Sequence, residues 1–321
     1  MSDGIIKTQH LYKTFNLEAG FFAKHDKTVY AVNDVSFTIE RGKTYGLVGE
    51  SGCGKTTTAR LLVEMYKPTS GKVLYTPPDE AVQDIGQYSR REMRSYRERV
   101  KYIFQDPARS LNPRMNVYDV ITAGLRYSSM WRGKAAAKEL AAGMMSEVGL
   151  TEADLYRRPS EFSGGQRQRI SIARGLIMEP EMMICDEVVS ALDVSIQGQI
   201  INLLDELREK RGLSFLFITH DLKIACYFCD TIGVMYRGIL VEEAPAGDLY
   251  KTALHPYTKL LFDGAAGKAA ASNAEVKTTL SIEKGCPFAY RCPYAWEKCR
   301  SEMPEFTLSG DGHKVRCWSV L

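Results

Sequence analysis

The fold can be predicted from one segment, Gly49-Glu50-Ser51-Gly52-Cys53-Gly54-Lys55-Thr56. It follows an apolar run that predicts a strand, Thr44 to Val48, and precedes helix-forming residues from Thr57 to Tyr66. Glycines let a backbone wrap around phosphates, a lysine supplies a positive charge at the β- and γ-phosphates, and the adjacent hydroxyl can bind Mg²⁺. This order of strand, loop and helix predicts a phosphate-binding loop in an α/β domain.

Outward from this loop, short β-branched or aromatic runs alternate with helical segments, which favours an α/β core with a mainly parallel sheet. Helix formers replace the β pattern from Pro107 to Phe162, so we expect an inserted helical subdomain at about 107–163. An irregular insert, Asn16 to Thr28, separates two early strands, and a connector rich in small residues runs from Asp263 to Ser281. The predicted strands are Thr44 to Val48, Val100 to Phe104, Met182 to Cys185, Ser214 to Thr219 and Thr231 to Met235.

The composition limits the classes of function. The chain has 321 residues, 45% of them hydrophobic, and 42 basic against 39 acidic side chains give a net charge of +3. This small charge provides no strong attraction for nucleic acid, and the basic run between Arg90 and Lys101 is typical of a solvated helix face. No apolar stretch reaches the roughly 18 residues needed to span a bilayer, and Met1 to Gln9 lacks an export signal. We therefore expect a cytosolic chain, whose eight cysteines do not form disulfides.

A pair of acidic residues ends a second apolar strand, Met182-Met183-Ile184-Cys185-Asp186-Glu187. Carboxylates at the C-terminal end of such a strand can hold the Mg²⁺ shell and polarise a water for in-line attack on a phosphate. We predict that Asp186 serves the metal and that Glu187 is the catalytic base. Taken alone, the pair could simply end a core strand, but the phosphate loop favours the catalytic interpretation.

The segment Phe162-Ser163-Gly164-Gly165-Gln166 offers a second phosphate-binding element. A Ser-Gly-Gly turn that opens a helix presents a hydroxyl, backbone N–H groups and the positive end of the helix dipole. A chain that already has a phosphate loop does not need a second one for its own nucleotide. We therefore predict that this turn contacts the γ-phosphate held by another subunit, so that two chains close over two ATP molecules.

With these motifs, the chain resembles the ATPase subunit of an ABC transporter, in the oligopeptide and dipeptide importer branch, over nearly its whole length. The resemblance implies a RecA-like P-loop NTPase core with an antiparallel β subdomain, the inserted helical subdomain and a small C-terminal appendage. It also implies a nucleotide-binding domain at 1–255 and an importer-type extension at 256–321. The segment His255-Pro256-Tyr257-Thr258 resembles the entry to that extension.

The resemblance assigns further roles residue by residue. Gln105 would reach Mg²⁺ and the attacking water, and His220 would contact the γ-phosphate, so that both join Glu187 in catalysis. Thr56 and Gln105 would ligate Mg²⁺. The residues expected to contact the nucleotide or its metal are Phe15, Gly49, Glu50, Ser51, Gly52, Cys53, Gly54, Lys55, Thr56, Thr57, Gln105, Asp186, Ser163, Gly164, Gly165, Gln166 and Asp193.

Phe15, Asp193 and Val188 need further description. Phe15 would stack on adenine, with Tyr12 or Tyr30 as possible substitutes. Asp193 ends a Ser-Ala-Leu-Asp loop that resembles the one through which paired ATPase subunits sense each other. The family usually has a proline after the acidic pair, and Val188 stands there instead. We therefore expect a less rigid backbone in this loop, with hydrolysis retained.

Four of the eight cysteines lie near the C-terminus, with five, six and seventeen residues between them: Cys286, Cys292, Cys299 and Cys317. A short segment without a large apolar core can be organised by a metal. Four thiolates suit a [4Fe–4S] cluster or Zn²⁺, although structural zinc sites usually contain closer cysteine pairs. The spacing resembles the cluster-binding tail of dipeptide-importer ATPases. We expect a [4Fe–4S] cluster that stabilises the tail, with Zn²⁺ or unligated thiols as alternatives.

The expected function is ATP hydrolysis coupled to the uptake of dipeptides or oligopeptides across the cytoplasmic membrane. Expected partners are a paralogous ATPase in a heterodimer, two transmembrane permease subunits and an extracytoplasmic solute-binding protein. These partners would hold the chain at the cytoplasmic face of the membrane. The alternatives are import of another solute, such as nickel or glutathione, and a soluble ABC ATPase that acts on DNA or ribosomes.

Overall fold

The computed structural model describes residues 4–17, 27–106, 110–265, 284–309 and 312–320. The chain divides into two compact units. The first unit combines both ends of the sequence, Met1–Gln87 and Phe217–Leu321, and the second is the middle, Tyr88–Leu216.

The described strands and helices carry the following bounds. The strands are β1 (Gly4–Leu17), β2 (Lys27–Val35), β3 (Thr38–Glu40), β4 (Thr44–Val48), β5 (Ser70–Tyr75), β6 (Gln83–Asp84), β7 (Val100–Ile103), β8 (Met182–Asp186), β9 (Ser214–Thr219), β10 (Thr231–Tyr236), β11 (Ile239–Pro245), β12 (Thr307–Leu308) and β13 (Lys314–Val315). The α-helices are α1 (Lys55–Leu62), α2 (Arg90–Arg99), α3 (Val117–Thr122), α4 (Lys134–Glu147), α5 (Gly164–Leu176), α6 (Val194–Arg211), α7 (Leu222–Phe228), α8 (Ala246–Lys251), α9 (Pro256–Ala265) and α10 (Glu297–Ser301). Short 3₁₀ helices span Ile85–Gln87, Leu125–Tyr127, Glu152–Tyr156 and Pro159–Glu161.

The first unit contains an antiparallel sheet built around β1. This strand pairs with β2, β3 and β5, and β5 pairs with β6, all in antiparallel register. Its buried side chains include Ile5, Ile6 and Leu11, whereas Lys7 and His10 are exposed. The structure thus contains the antiparallel β subdomain that the resemblance implied.

The predicted irregular insert from Asn16 to Thr28 is wrong at both ends. Asn16 pairs with Thr28, and Leu17 pairs with Lys27, so these residues continue the β1–β2 ladder. Backbone pairing between two strands extends as far as their N–H and C=O groups can face each other, which the sequence pattern did not reveal. The centre of the insert, with Gly20, Phe21 and Phe22, lies outside the described residues.

A second sheet in the first unit carries the phosphate loop. Strand β4 lies parallel to β10, β10 pairs antiparallel with β11, and the C-terminal strands β13 and β12 follow on the other side of β11. All five residues of β4 are buried, which is typical of a strand covered on both faces. The C-terminal segment is therefore joined to this unit by backbone hydrogen bonds.

The second unit holds the parallel pair β7 and β8, in register from Val100 opposite Met182 to Ile103 opposite Cys185. Helix α2 begins with a capping box, because Ser89 and Glu92 each accept the other's backbone N–H in their side chains. Between Ser110 and Phe162 the described residues form helices and no strand. The inserted helical subdomain is therefore present.

All five strands predicted from the sequence are present, with β4 and β9 matching in both bounds and the others differing by one residue at the C-terminal end. The predicted connector begins inside α9, which extends to Ala265, and its part from 266 onwards lies outside the described residues. The basic run lies on α2 as far as Arg99, with Arg90, Arg91 and Arg94 exposed, whereas Lys101 lies in β7 and is half-buried. Among the described residues, no helix is long and apolar enough to cross a bilayer.

Candidate active site

The phosphate loop links the end of β4 to the start of α1. Gly54 is the residue before α1 and has a φ of 112°, a conformation that side chains rarely adopt. A Cβ atom on Gly54 would collide with the carbonyl oxygen of Ala31, and one on Gly49 would collide with the carbonyl oxygen of Met235. Both glycines are therefore required by backbone geometry and close packing.

Lys55 lies folded over this loop. Its Nζ donates to the carbonyl oxygens of Gly49 at 2.7 Å and Glu50 at 3.0 Å, and the residue is only 4% exposed. Thr56 is half-buried on the first turn of α1. The ammonium group thus lies where the loop backbone turns, which suits a contact with phosphate oxygens.

Residues far away in sequence support the loop. The N–H of Gly238 donates to the carbonyl of Cys53 at 2.8 Å. The N–H of Glu50 donates to the hydroxyl of Tyr257 at 2.9 Å, and Arg291 donates to both carboxylate oxygens of Glu50, at 2.9 Å each. Tyr257 and Arg291 were not predicted as parts of this site. No local signal identifies them, because 207 and 241 positions separate them from Glu50.

Two other predicted nucleotide contacts belong to the first unit. Phe15 is half-buried, and its ring packs edge-on against Tyr66 with centroids 5.4 Å apart, while the Lys13 ammonium lies 5.1 Å from its centroid. His220 is exposed directly after β9 and precedes Asp221, whose carboxylate caps α7 by accepting backbone N–H groups. The Asp221 cap fixes the start of α7, so His220 lies in the short link between β9 and this helix.

The acidic pair lies in the second unit, at the end of β8. Asp186 is 3% exposed and accepts a 2.5 Å hydrogen bond from the Tyr102 hydroxyl. Glu187 follows with a φ of 50°, which is uncommon for a residue other than glycine. Gln105 donates from Nε2 to Glu187 Oε2 at 2.7 Å. The structure therefore brings Gln105 and Glu187 together, and it holds Glu187 in a strained backbone conformation of the kind that clusters at functional sites.

A side chain supports the loop after this pair. Gln197, on α6, donates from Nε2 to the carbonyl oxygens of Val189 and Leu192, both at 3.1 Å. Val188, in the usual proline position, is 2% exposed. The expectation of a less rigid backbone omitted this contact: an amide that bridges two carbonyls restrains the loop although proline is missing. Only the three-dimensional structure reveals the role of Gln197.

The Ser-Gly-Gly turn starts α5 with a complete capping box. The Ser163 hydroxyl accepts the N–H of Gln166 at 3.3 Å, and the Gln166 side chain accepts the N–H of Ser163 at 3.0 Å. Ser163 is exposed, and its own hydroxyl hydrogen is not needed for the cap. Asp193 precedes α6 and is exposed, but its side chain does not cap that helix. Both residues remain accessible to a ligand.

The four C-terminal thiols act on one another electrostatically. Burial raises the pKa of Cys286 to about 12, with smaller contributions from Cys317, Cys299 and Cys292 in that order. Burial also raises the pKa of Cys292 and Cys317. The N–H of Cys286 donates to the carbonyl of Cys299 at 2.8 Å. As they are placed, however, no three His, Cys, Asp or Glu side chains in the described part of the chain could hold one metal ion.

Comparisons with known proteins place these motifs in context. Residues 32–190 match the family model for ABC transporters, and residues 241–299 match the model for the C-terminal region of oligopeptide/dipeptide transporters. A probable peptide ABC transporter ATP-binding protein of Sinorhizobium fredii is 41% identical over 99% of this chain and 90% of its own length. Two oligopeptide transport ATP-binding proteins of Bacillus subtilis are 39% identical, over 98% of this chain and 96% of the relative, and 47% identical, over 81% and 82%.

Solved structures are similar as well. A part of an ABC transporter complex from Clostridium perfringens has a TM-score of 0.65 at 26% identity, covering 78% of this chain and 91% of that one. A bacterial ABC transporter cassette, described as dimeric, has a TM-score of 0.63 at 26% identity, covering 75% and 98%. These similarities confirm the predicted P-loop NTPase fold.

Proposed function

The chain belongs to the ABC transporter ATPases of the oligopeptide and dipeptide branch, and from that premise we propose that it hydrolyses ATP to drive the uptake of peptides. The single observation that supports hydrolysis best is the contact between Gln105 and Glu187 beside the buried Asp186. A carboxylate held by an amide at the end of a buried strand suits the positioning of an attacking water.

We propose the following roles within the nucleotide site. Lys55 and the loop N–H groups bind the phosphates, and Glu187 accepts a proton from the attacking water. Gln105 orients that carboxylate through its hydrogen bond. His220 contacts the γ-phosphate, and Phe15 stacks on adenine. These assignments rest on the family's motifs and on the local geometry of each residue.

Magnesium fits the proposed donor set. Mg²⁺ prefers oxygen ligands in octahedral geometry and usually retains several waters. The Thr56 hydroxyl and the Gln105 side-chain oxygen are oxygen donors, and the Asp186 carboxylate can hold the water shell. When bound, Mg²⁺ would offset the charge that develops on the phosphates during transfer.

We propose that Ser163, Gly164, Gly165, Gln166 and Asp193 act on the nucleotide of a second ATPase subunit. The exposed Ser163 hydroxyl at the start of α5 supports this assignment. A heterodimer with a paralogous ATPase is the favoured assembly, together with two transmembrane permease subunits and an extracytoplasmic binding protein. Attachment to the permeases would place the chain at the cytoplasmic face of the membrane.

Peptides are the proposed cargo because the relatives carry peptide transport descriptions and the tail matches the corresponding C-terminal region. Nickel, glutathione or another small solute is the alternative within the family. Action on DNA or ribosomes is the alternative outside it. The small net charge of +3 gives no support to nucleic acid as a partner.

We propose a [4Fe–4S] cluster in the tail. The donor set fits, because four mutually interacting cysteines are the ligands such a cluster requires. Zn²⁺ is the alternative, although structural zinc sites usually contain closer cysteine pairs than these four. A bound cluster would cross-link the segments around the four cysteines. Iron and acid-labile sulfide in anaerobically purified protein, lost on Cys292→Ser but kept on Cys226→Ser, would support the proposal, and stoichiometric zinc would contradict it.

The substitution Glu187→Gln tests the function. We expect ATP turnover to fall at least about a hundredfold while ATP binding persists, because the general base is lost but the phosphate loop remains. The exposed Glu206 on α6, changed to Gln, is the matched control. Unchanged hydrolysis in Glu187→Gln would disprove the catalytic assignment.

The same variant can capture the assembly. The tagged Glu187→Gln chain is extracted anaerobically from detergent-solubilised membranes with ATP and Mg²⁺. Recovery of two polytopic proteins, a second ATPase and an extracytoplasmic binding protein would support the importer, and the ligand of that binding protein would identify the solute. Recovery only with ribosomes or DNA-associated proteins would contradict it.

A further inference from the structure

The cysteine tail contacts the phosphate loop directly through a charged pair. Arg291, immediately before Cys292, donates from Nη1 and Nη2 to the two carboxylate oxygens of Glu50, both at 2.9 Å. The side chain of Arg291 is 13% exposed and that of Glu50 is 28% exposed. A bidentate ion pair of this kind fixes the orientation of the two side chains relative to each other. Because both side chains are partly buried, their attraction is screened less than that of an exposed pair.

An aromatic cluster holds Arg291 in place. Phe288, from the same tail, packs against Tyr236 and Tyr257 with centroids 5.3 Å and 5.4 Å away. The guanidinium carbon of Arg291 lies 5.7 Å from the Phe288 centroid and 5.8 Å from that of Tyr236. Tyr257 in turn accepts the backbone N–H of Glu50. The tail therefore contacts both the side chain and, through Tyr257, the backbone of one loop residue.

The charge on Glu50 poses a problem for a phosphate site. Its carboxylate belongs to the same loop as Lys55, whose ammonium group bonds to the Glu50 carbonyl oxygen. A carboxylate in this position repels a polyphosphate unless a nearby cation compensates for it. Arginine is suited to this task because it stays charged at any physiological pH and pairs with a carboxylate in a planar geometry.

We propose that Arg291 is a positioning residue of the nucleotide site: it neutralises and orients Glu50, so that ATP affinity depends on the cysteine tail. This inference rests on the proposed role of the phosphate loop. In this proposal Arg291 acts through Glu50, to which it donates two hydrogen bonds, and not by binding the phosphates itself. Through this contact the cysteine tail becomes part of the nucleotide site and is not a separate appendage.

The test is a charge-removal series in the full-length chain, with Kd for MgATP and steady-state ATPase as readouts. Arg291→Met leaves Glu50 uncompensated, and we expect ATP affinity to weaken about tenfold at low salt, with kcat changed less than KM. Adding Glu50→Gln to Arg291→Met removes the repulsive charge and should recover most of the lost affinity. The exposed Arg300, on α10 of the same tail, changed to Met, is the matched control and should leave Kd unchanged.

Purely structural support by Arg291 predicts a different pattern. The double variant would then bind ATP as weakly as Arg291→Met, because neither has the ion pair, and that result would overturn the proposal. Unchanged affinity in Arg291→Met would overturn it as well. Arg291→Lys keeps the positive charge, so its ATP affinity should weaken by no more than about threefold. A full tenfold loss in this variant would show that affinity depends on the geometry of the pair and not on its charge, which would contradict neutralisation of Glu50.

Two controls separate this inference from the function on which it rests. Melting curves are recorded for every variant, and Arg291→Gln, which can still hydrogen-bond to Glu50, replaces Arg291→Met if the latter does not fold. Lys55→Ala tests the loop itself. If Lys55→Ala loses ATP binding but the Arg291 variants bind ATP as tightly as the parent chain, only the inference is rejected. If Lys55→Ala still binds ATP, the phosphate-loop assignment is rejected.

Discussion

The phosphate loop, Gly49 to Thr56, and the Ser-Gly-Gly turn at Ser163 are both predicted to bind phosphate, yet they are stabilised in different ways. The turn is held by its own residues, through hydrogen bonds between positions three apart. The loop is held by Tyr257 and Arg291, 207 and 241 positions away. Of these two predicted phosphate-binding elements, one is stabilised locally, whereas the other is contacted by residues of the C-terminal segment.

The largest expected contrast comes from adding one methyl group to each element. Gly54→Ala should lower the free energy of unfolding by about 3 kcal/mol, because φ at this position is 112° and the Cβ would collide with the Ala31 carbonyl. Gly164→Ala should change it by less than about 1 kcal/mol, since its Cβ meets only Leu192 at 3.5 Å and alanine favours a helix. Urea unfolding of both variants measures the contrast, and equal losses would contradict it.

Acid should weaken the support of the phosphate loop. His255 is 1% exposed, its Nδ1 accepts the N–H of Tyr257, and burial lowers its pKa to about 3. The unfolded chain, with a histidine pKa of about 6.5, binds more protons below that pH. Stability from the neutral ring is therefore complete above about pH 6.5 and decreases as the pH falls towards 3, by about 2 kcal/mol at pH 5.

The variant His255→Asn checks this origin. The free energy of unfolding is measured from pH 7 to pH 4.5, and its slope should become flatter in the variant than in the parent chain because one buried titrating group is gone. ATP affinity at pH 5 should also fall in the parent, since Tyr257 connects His255 to Glu50. Identical slopes would rule out His255 as the source.

The smallest expected effect concerns the capping box of the turn. Ser163→Ala should cost about 1 kcal/mol, because one hydrogen bond to the start of α5 is lost. Ser89, which forms the same capping box at α2 in the same unit, is a matched control. A similar loss of stability is expected for Ser89→Ala, but only Ser163→Ala should reduce ATP turnover. Equal turnover in the two variants would argue against a nucleotide contact by Ser163.

Local patterns predicted much of the fold. The strand before Lys55 has its predicted bounds, and the helix after the loop is present but spans Lys55–Leu62 rather than Thr57 to Tyr66. Both were predictable because a continuous apolar run, a glycine-rich loop and helix formers act over a few positions. The acidic pair at the end of β8 was predicted for the same reason. The predicted bounds of the irregular insert were wrong, because pairing of Asn16 with Thr28 depends on a partner strand and not on local propensity.

The supporting residues could not be predicted. Gln197 restrains the loop that follows Glu187, but its sequence position on a helix gives no sign of which carbonyls its amide reaches. The same holds for Arg291, which is one of many arginines in the sequence. Side-chain partners at long range follow from how the chain folds back on itself, and a single sequence does not record that geometry.

The motifs alone identified the class of protein and predicted its reacting groups, because the phosphate loop, the acidic pair and the Ser-Gly-Gly turn are short segments whose chemistry depends on neighbouring residues. Only the tertiary structure shows that the cysteine tail contacts the phosphate loop. That contact joins Glu50 to Arg291 across 241 positions, so it exists only once strands β11 and β13 have paired and the tail is packed against Tyr236 and Tyr257.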